Sequence, residues 1–304
     1  MTDGPLVSIV IPAYQARHTI AETIDSALNQ TYKPIEIIVV DDGSQDGTGD
    51  FIAATYGQQV KLIRQANSGP AIARHRGIQA AQGDYIQFID ADDRLLPEKV
   101  AICYDALAAR PDAALAYTRY RRIDAAGSPL DEDPPPLVED DRFCAVLNQG
   151  GMPFQTGCML LRRSAYDAVG GFWEAGRLAA QDWDLILRLA AAFPFVPVDM
   201  PLVEYRVQPG SFSGNRLAML KGRLLAVQRA RTLAVEHGCY TAAQYDQVEA
   251  GRHHTLAVGA WQAGDMALSR QSWRAALALH PSRMRRLMLL LSYVLPPAWA
   301  RRYL

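Results

Sequence analysis

No Cys-x-x-Cys pair occurs in this sequence. Its four cysteines, Cys103, Cys144, Cys158 and Cys239, lie far apart. That spacing argues against a zinc site and is expected of reduced thiols in a cytosolic setting. No apolar run reaches the roughly 20 residues that a membrane-spanning helix needs. The N-terminus has no basic stretch followed by a long apolar one, so no secretory signal is expected. Net charge is also nearly missing: 31 Lys and Arg against 32 Asp and Glu leave −1. A global electrostatic pull toward nucleic acid or anionic lipid is thereby removed. Finally, no Gly-rich loop bearing Lys or Arg follows the first strand-like run. Pro12-Ala13-Tyr14-Gln15-Ala16 stands there instead, which weighs against a nucleotidyltransferase.

What is present is an ordinary globular composition, 49% hydrophobic and 21% charged over 304 residues. That is room for about one and a half to two domains. Val7-Ser8-Ile9-Val10-Ile11 is a short β-branched run closed by Pro12, as expected of a strand buried on both faces of a parallel sheet. Thr19-x-x-Glu22 has the pattern of a capping box, and Ile20, Ile24, Ala27 and Leu28 follow at helical spacing. Pro34 interrupts, and residues 35–40 form a second strand that ends in Asp41-Asp42-Gly43-Ser44. A short helix around 51–56 and a strand over 60–63 come next. Gly69-Pro70 opens a helix through Ala73, Arg74 and Ile78, with Pro at a favourable first position. A fourth strand, 85–89, runs into Asp90-Ala91-Asp92-Asp93.

This alternation predicts βαβ units and an open, mostly parallel sheet. Ligands of such sheets lie beyond the carboxyl ends of the strands. Pro12-Ala13-Tyr14, Asp41-Asp42 and Asp90-Ala91-Asp92 are therefore expected to converge on one crevice. Three carboxylates at one strand end repel one another unless a cation lies among them. Oxygen-only ligands favour a hard divalent ion, Mg²⁺ or Mn²⁺. The bland reading of the same acids is a solvated turn.

Beyond a helix over 97–109 the pattern loosens. Strands are expected over 114–123, 157–161 and 195–207, and an exposed loop at Asp131-Glu132-Asp133-Pro134-Pro135-Pro136. Gln181-Asp182-Trp183-Asp184 begins a helix. From about Asn215 the chain turns rich in Ala, Leu and Arg and is expected to be a helical extension. Trp261, Gly264-Asp265, Ala267, Ala275-Ala276 and Pro281 are similar to one degenerate helix–turn–helix repeat of the tetratricopeptide type.

Taken in order, Val7 to Tyr14, Val39-Val40-Asp41-Asp42-Gly43-Ser44, Ala73-Arg74-His75-Arg76-Gly77 and Asp90-Ala91-Asp92-Asp93 resemble the family 2 glycosyltransferases of GT-A fold. The resemblance covers residues 5 to about 213. It implies an α/β nucleotide-sugar-binding domain over 1–214 with a helical extension over 215–304. It implies transfer of a sugar from a nucleotide-sugar donor, UDP-linked by expectation, to a saccharide or lipid-linked acceptor with inversion, aided by Mn²⁺ or Mg²⁺. Pro12, Ala13 and Tyr14 are then expected to line the nucleotide, with Tyr14 offering an aromatic face to the base. Asp41 is an acceptor suited to a ring N–H such as that of uracil, the part the matching Asp plays in the family. Asp42 and Ser44 read equally well as a turn and helix cap. Arg74 offers a fixed fork of donors for phosphate or base edges, while His75 and Arg76 read as a solvated helix face.

By the same resemblance Asp90 meets the ribose or the metal, and Asp92 ligates the metal that bridges the diphosphate. Asp93 reads as a supporting partner or a helix cap. Asp182 matches the base that takes the acceptor proton. The family's Glu before it is Gln181 here, and Asp184 is the rival. Trp183 reads most simply as a core anchor. Tyr205-Arg206, Ser211 and Ser213 resemble a loop closing over the diphosphate, with Gln208 where many relatives have His.

The last apolar stretch, 284–295, is too short to span a bilayer, and arginines precede and follow it. Residues 285–304 are expected either to lie in a membrane interface on the cytoplasmic face or to pack as a terminal helix on the catalytic domain. A nucleotide-sugar-binding module without transfer activity is the non-enzymatic rival, and the retained Asp90, Asp92 and Asp182 weigh against it.

Overall fold

The computed structural model describes residues 4–130, 137, 143–150, 154–172, 179–207 and 215–304. Strands and helices alternate from the start: β1 Val7–Ala13, α1 Ile20–Leu28, β2 Ile35–Asp41, α2 Thr48–Tyr56, β3 Lys61–Arg64, α3 Pro70–Ala80 and β4 Tyr85–Phe88. There follow β5 Arg94–Leu95, α4 Lys99–Ala108, β6 Leu115–Ile123, α5 Phe143–Gln149, β7 Met159–Arg162, α6 Arg163–Ala168, α7 Gln181–Ala192 and β8 Phe195–Arg206. Five helices complete the chain: α8 Arg216–Glu236, α9 Ala242–Ala263, α10 Met266–Leu279, α11 Arg283–Val294 and α12 Pro297–Tyr303.

The eight strands form one sheet in the order β3-β2-β1-β4-β7-β6-β8-β5. The first four are parallel to one another, and β6 and β8 are parallel to each other. β7 and β5 run antiparallel. The β-branched residues of β1 and β2 explain the central position of these strands. Val7, Ile9, Val10, Ile11, Ile38, Val39 and Val40 are all buried, as strands covered on both faces require. Helix α3 lies close on this sheet because Gly77 has no side chain: a Cβ there would stand 2.4 Å from Cγ1 of Val10.

The chain divides into two compact units. One comprises Met1–Arg142, Met152–Arg177 and Arg188–Pro209, and the other Phe143–Gly151, Leu178–Leu187 and Gly210–Leu304. In the second unit, Thr241 caps α9 through a reciprocal capping box with Gln244. Asp265 caps α10 by accepting the Leu268 N–H at 3.0 Å. α9 and α10 thus make the expected helix–turn–helix, joined at Gly264-Asp265 and packed through Trp261 and Trp273.

Two expectations need correction. Cys144 and Cys239 form a disulfide across 95 residues, while Cys103 and Cys158 are free and buried. The wide spacing hid a pair that folding brings together, so the cysteines give no argument for a reducing compartment. The Thr19-x-x-Glu22 pattern is not a capping box. Thr19 makes no side-chain cap bond, and its hydroxyl donates to the Ala91 carbonyl at 2.9 Å instead. Glu22 is drawn off by Arg94 at 3.2 Å and Arg206 at 2.6 Å, since ion pairs with two guanidinium groups outweigh one backbone contact.

Candidate active site

The four parallel strands β1 to β4 end on the same edge of the sheet. Ala13 closes β1 directly opposite Asp41, which closes β2. On the other side of β1, Val10 stands opposite Phe88, the last residue of β4. The Ile89 N–H continues the pairing by donating to the Val10 carbonyl at 3.2 Å. The turn that starts at Asp90 therefore emerges on the same edge of the sheet as Tyr14 and Asp41, with β1 between β4 and β2. Pro12 and Ala13 are buried in the strand, and Tyr14 just beyond it is 52% exposed.

Hydrogen bonds stitch the loops after β1 and β2 together. The Gln15 N–H donates to Oγ of Ser44 at 3.0 Å, and its side-chain Oε1 accepts from the N–H groups of Gln45 and Asp46, each at 3.1 Å. The Ala16 N–H donates to Oγ1 of Thr48 at 3.0 Å. Adjacent acids then take separate tasks. Asp41 is buried and accepts the Ser44 N–H at 3.0 Å, while its other oxygen lies where a Cβ on Gly49 would come within 2.3 Å. Asp42 accepts from Nε2 of Gln65 and the Ser68 N–H, both at 2.7 Å, and from the Gly69 N–H at 2.8 Å. Asp42 therefore anchors the segment that leads into Pro70 and α3, and Ser44 belongs to the turn.

From α3 the guanidinium of Arg74 reaches the Asp90 carboxylate and pairs with it. Arg74 is buried, whereas the Asp90 side chain is 40% exposed. One partner is locked and the other is accessible. Arg76 is exposed as expected, but His75 is half-buried and lies 3.0 Å from the Tyr166 hydroxyl.

The acidic turn is held from several sides. The Asp93 N–H donates to the Asp90 carbonyl at 3.0 Å. The Thr23 hydroxyl donates to the Asp93 carbonyl at 2.8 Å. Nε of Arg206 donates to the Asp92 carbonyl at 2.7 Å. Asp93 itself turns inward, accepts the Arg206 N–H at 2.8 Å and is buried. Burial, followed by the charges of Asp90 and Asp92, pushes its carboxyl well above the usual carboxylate range. Asp93 thus supports the turn and caps no helix.

Asp182 belongs to the second unit. It sits in the first turn of α7, half-buried, and its Oδ1 accepts the Trp183 N–H at 2.8 Å. Asp184 is buried and bonded to Nε of Arg229 at 2.7 Å. Trp183 is fully buried, a core anchor.

A match to the glycosyl transferase family 2 model covers residues 8–170, just over half of the chain, and includes the whole strand edge described above. The chain belongs to glycosyl transferase family 2. This glycosyltransferase is 35% identical over 219 residues to the putative teichuronic acid biosynthesis glycosyltransferase TuaG of Bacillus subtilis, covering 70% of this chain and 83% of that one. It is 35% identical over 197 residues to an uncharacterized glycosyltransferase of Rickettsia felis, covering 61% and 32%. Against the chondroitin synthase of Escherichia coli it is 32% identical over 196 residues, covering 63% and 27%. It therefore spans about a third or less of the last two relatives. Among solved structures, S. aureus TarS 1–349 in complex with UDP-GlcNAc shares 18% identity at a TM-score of 0.64, covering 97% of this chain and 89% of that one. The mannosyltransferase PcManGT from Pyrobaculum calidifontis, in complex with GDP-Man and Mn²⁺, shares 18% at 0.58, covering 99% and 88%. The shared fold is the GT-A α/β fold, with its mostly parallel sheet followed here by C-terminal helices.

In the glycosyltransferase, Asp90 and Asp92 offer carboxylate oxygens alone, the donor set of a hard divalent ion. Burial first, and then the charges of Asp90 and Asp92, raise Asp93; an ion at this turn would offset the second of these. Two carboxylates suffice for Mg²⁺ or Mn²⁺, whose other positions are taken by water and phosphate oxygens. The residues therefore fit the ion, although among the described residues no group of three or more His, Cys, Asp or Glu forms a ready-made cage.

Arg206 and Glu22 take parts other than the diphosphate loop and the helix cap that the sequence suggests. Arg206 closes β8 and does not lie in a loop. Its side chain is 1% exposed, and it donates to Glu22 at 2.6 Å and to the Ala125 carbonyl at 3.0 Å while holding the Asp92 carbonyl. No spacing in the sequence links Glu22, Asp92 and Arg206. Gln208, Ser211, Ser213 and the loop at Asp131 to Pro136 lie outside the described residues.

Proposed function

We propose that this glycosyltransferase is an inverting, metal-dependent enzyme that moves a sugar from a UDP-linked donor to a hydroxyl of a saccharide or lipid-linked acceptor. Residues 1–214 are its catalytic domain and 215–304 a helical extension. The observation that supports the reading is the strand edge at which Ala13 stands opposite Asp41 and β4 leads into the Arg74–Asp90 pair. Pro12, Ala13 and Tyr14 flank the nucleotide, and Asp41 accepts a ring N–H of the base. Arg74, buried and rigidly placed, orients Asp90 beside the ribose and the metal. Asp90 and Asp92 would hold the ion, which when bound neutralises charge on the departing diphosphate. Asp182 takes the proton of the attacking hydroxyl. Asp184 is the less available of the two because Arg229 already engages its carboxylate. The relatives' names, teichuronic acid biosynthesis and chondroitin synthase, support assembly of a polysaccharide.

The test is a donor screen in which nucleotide release is followed with and without Mn²⁺. Release from UDP-sugars that stops in chelator is expected. Release from another nucleotide would reassign Asp41, and full activity in chelator would remove the metal from the proposal.

A further inference from the structure

Helix α11 packs one side against α9 and α10. Met288 and Ser292 are buried there, and Leu289, Leu291 and Leu295 join the cluster around Trp261 and Trp273. The other side is apolar too. Met284 is 61% exposed, Leu287 49%, Leu290 66% and Val294 74%, and the spacings of three, three and four align them along one stripe. A surface helix normally turns charged and polar residues outward. Here the polar neighbours of the stripe are Arg283 and Arg286, both exposed and without an ion pair among the described residues.

The charge around this stripe has one sign. From Met266 to Leu304 there are seven arginines and no Asp, Glu or Lys. This stretch carries +7 in a chain whose total is −1, so the other 265 residues carry −8. Some of the arginines have internal work: Arg270 donates to the Ser292 carbonyl, Arg285 to the His280 carbonyl and Arg301 to the Gln262 carbonyl. Arg283, Arg286 and Arg302 remain exposed.

We propose that α11 and α12 dock the protein on an anionic lipid surface, with α11 lying in the interface along its Met284–Leu287–Leu290–Val294 stripe. A bilayer interface satisfies both features at once, taking the apolar side chains below the headgroups and pairing the arginines with acidic lipids. A soluble polyanion would use the arginines but leave Leu290 and Val294 in water. A second copy meeting this face about a two-fold axis would bring like charges together. No described helix is long and apolar enough to cross a membrane, and a helix lying in the interface has no need to. This surface stands independently of the donor and metal assigned above.

The test is co-sedimentation of the full chain with phosphatidylcholine vesicles and with vesicles that also contain phosphatidylglycerol. Binding should be at least about tenfold stronger to the anionic vesicles, because each arginine near the surface is attracted to the acidic headgroups. Arg283→Gln with Arg286→Gln should remove most of that preference. Leu290→Ser with Val294→Ser should weaken binding to anionic vesicles about tenfold or more, and thermal melts of both double variants should match the wild type because all four positions are exposed. Failure of the full chain to sediment with anionic vesicles overturns the proposal. Binding that ignores the Leu290 and Val294 changes and is competed away by a soluble anionic polysaccharide makes the patch a polyanion site. A lipid-free dimer that dissociates in the Leu290→Ser, Val294→Ser variant makes it an interface between copies.

Discussion

Asp90, Asp92 and Asp93 stand within four positions and meet different fates. Asp90 pairs with Arg74 and keeps an accessible carboxylate. Asp92 lends its backbone carbonyl to Arg206, and Asp93 is buried beneath the turn. The same division of labour separates Asp182 from Asp184. Asp182→Asn keeps the shape of the side chain but cannot accept a proton. Turnover should fall by roughly 10²–10⁴ while donor affinity, read by calorimetry, changes little; undiminished turnover would move the base elsewhere. Asp41→Asn keeps an oxygen for the Ser44 N–H and loses only the charge. UDP binding should weaken by about 1.5–3 kcal/mol, the range for a hydrogen bond to a charged group. If calorimetry shows no change, the part played by Asp41 is confined to the turn.

Among the elements, β1, β2 and β4 are legible because each is a compact apolar run with Pro or acids at its end, and β3 is marked only by the short run Val60 to Ile63. The convergence of their ends follows from parallel pairing alone. What the sequence concealed is short or non-local. β5 has two residues and α6 has six, too few for a period to register. Glu22 reads locally as a cap residue, yet its partners are 72 and 184 positions away. Asp42 reads locally as a turn and helix cap residue. Its three accepted bonds make it the anchor of the segment before α3. Asp42→Ala would leave the Ser68 and Gly69 N–H groups without that acceptor and should cost about 1–3 kcal/mol in urea unfolding. Arg74 is carried on the same helix, so donor affinity should fall with it. Unchanged stability would mean that α3 is held by its contact with the sheet alone.

For the molecule as a whole, the cysteines show where sequence reading stops, because pairing across 95 residues has no local signature. Cross-linking a loop of that length restricts the unfolded chain, typically by about 2–4 kcal/mol. Cys144→Ser with Cys239→Ser should lower stability by that amount, and thiol titration of the unfolded wild type without reductant should find two reactive cysteines. Four reactive thiols would refute the bond. The near-zero net charge also conceals a partition, because the basic residues of the last three helices offset an acidic excess in everything before them. Proteolysis ahead of this arginine-rich tail would therefore convert a nearly neutral protein into a markedly acidic one. Its retention on an anion-exchange column would shift in a single step, and chromatography would register the loss of the tail before any assay of catalysis did.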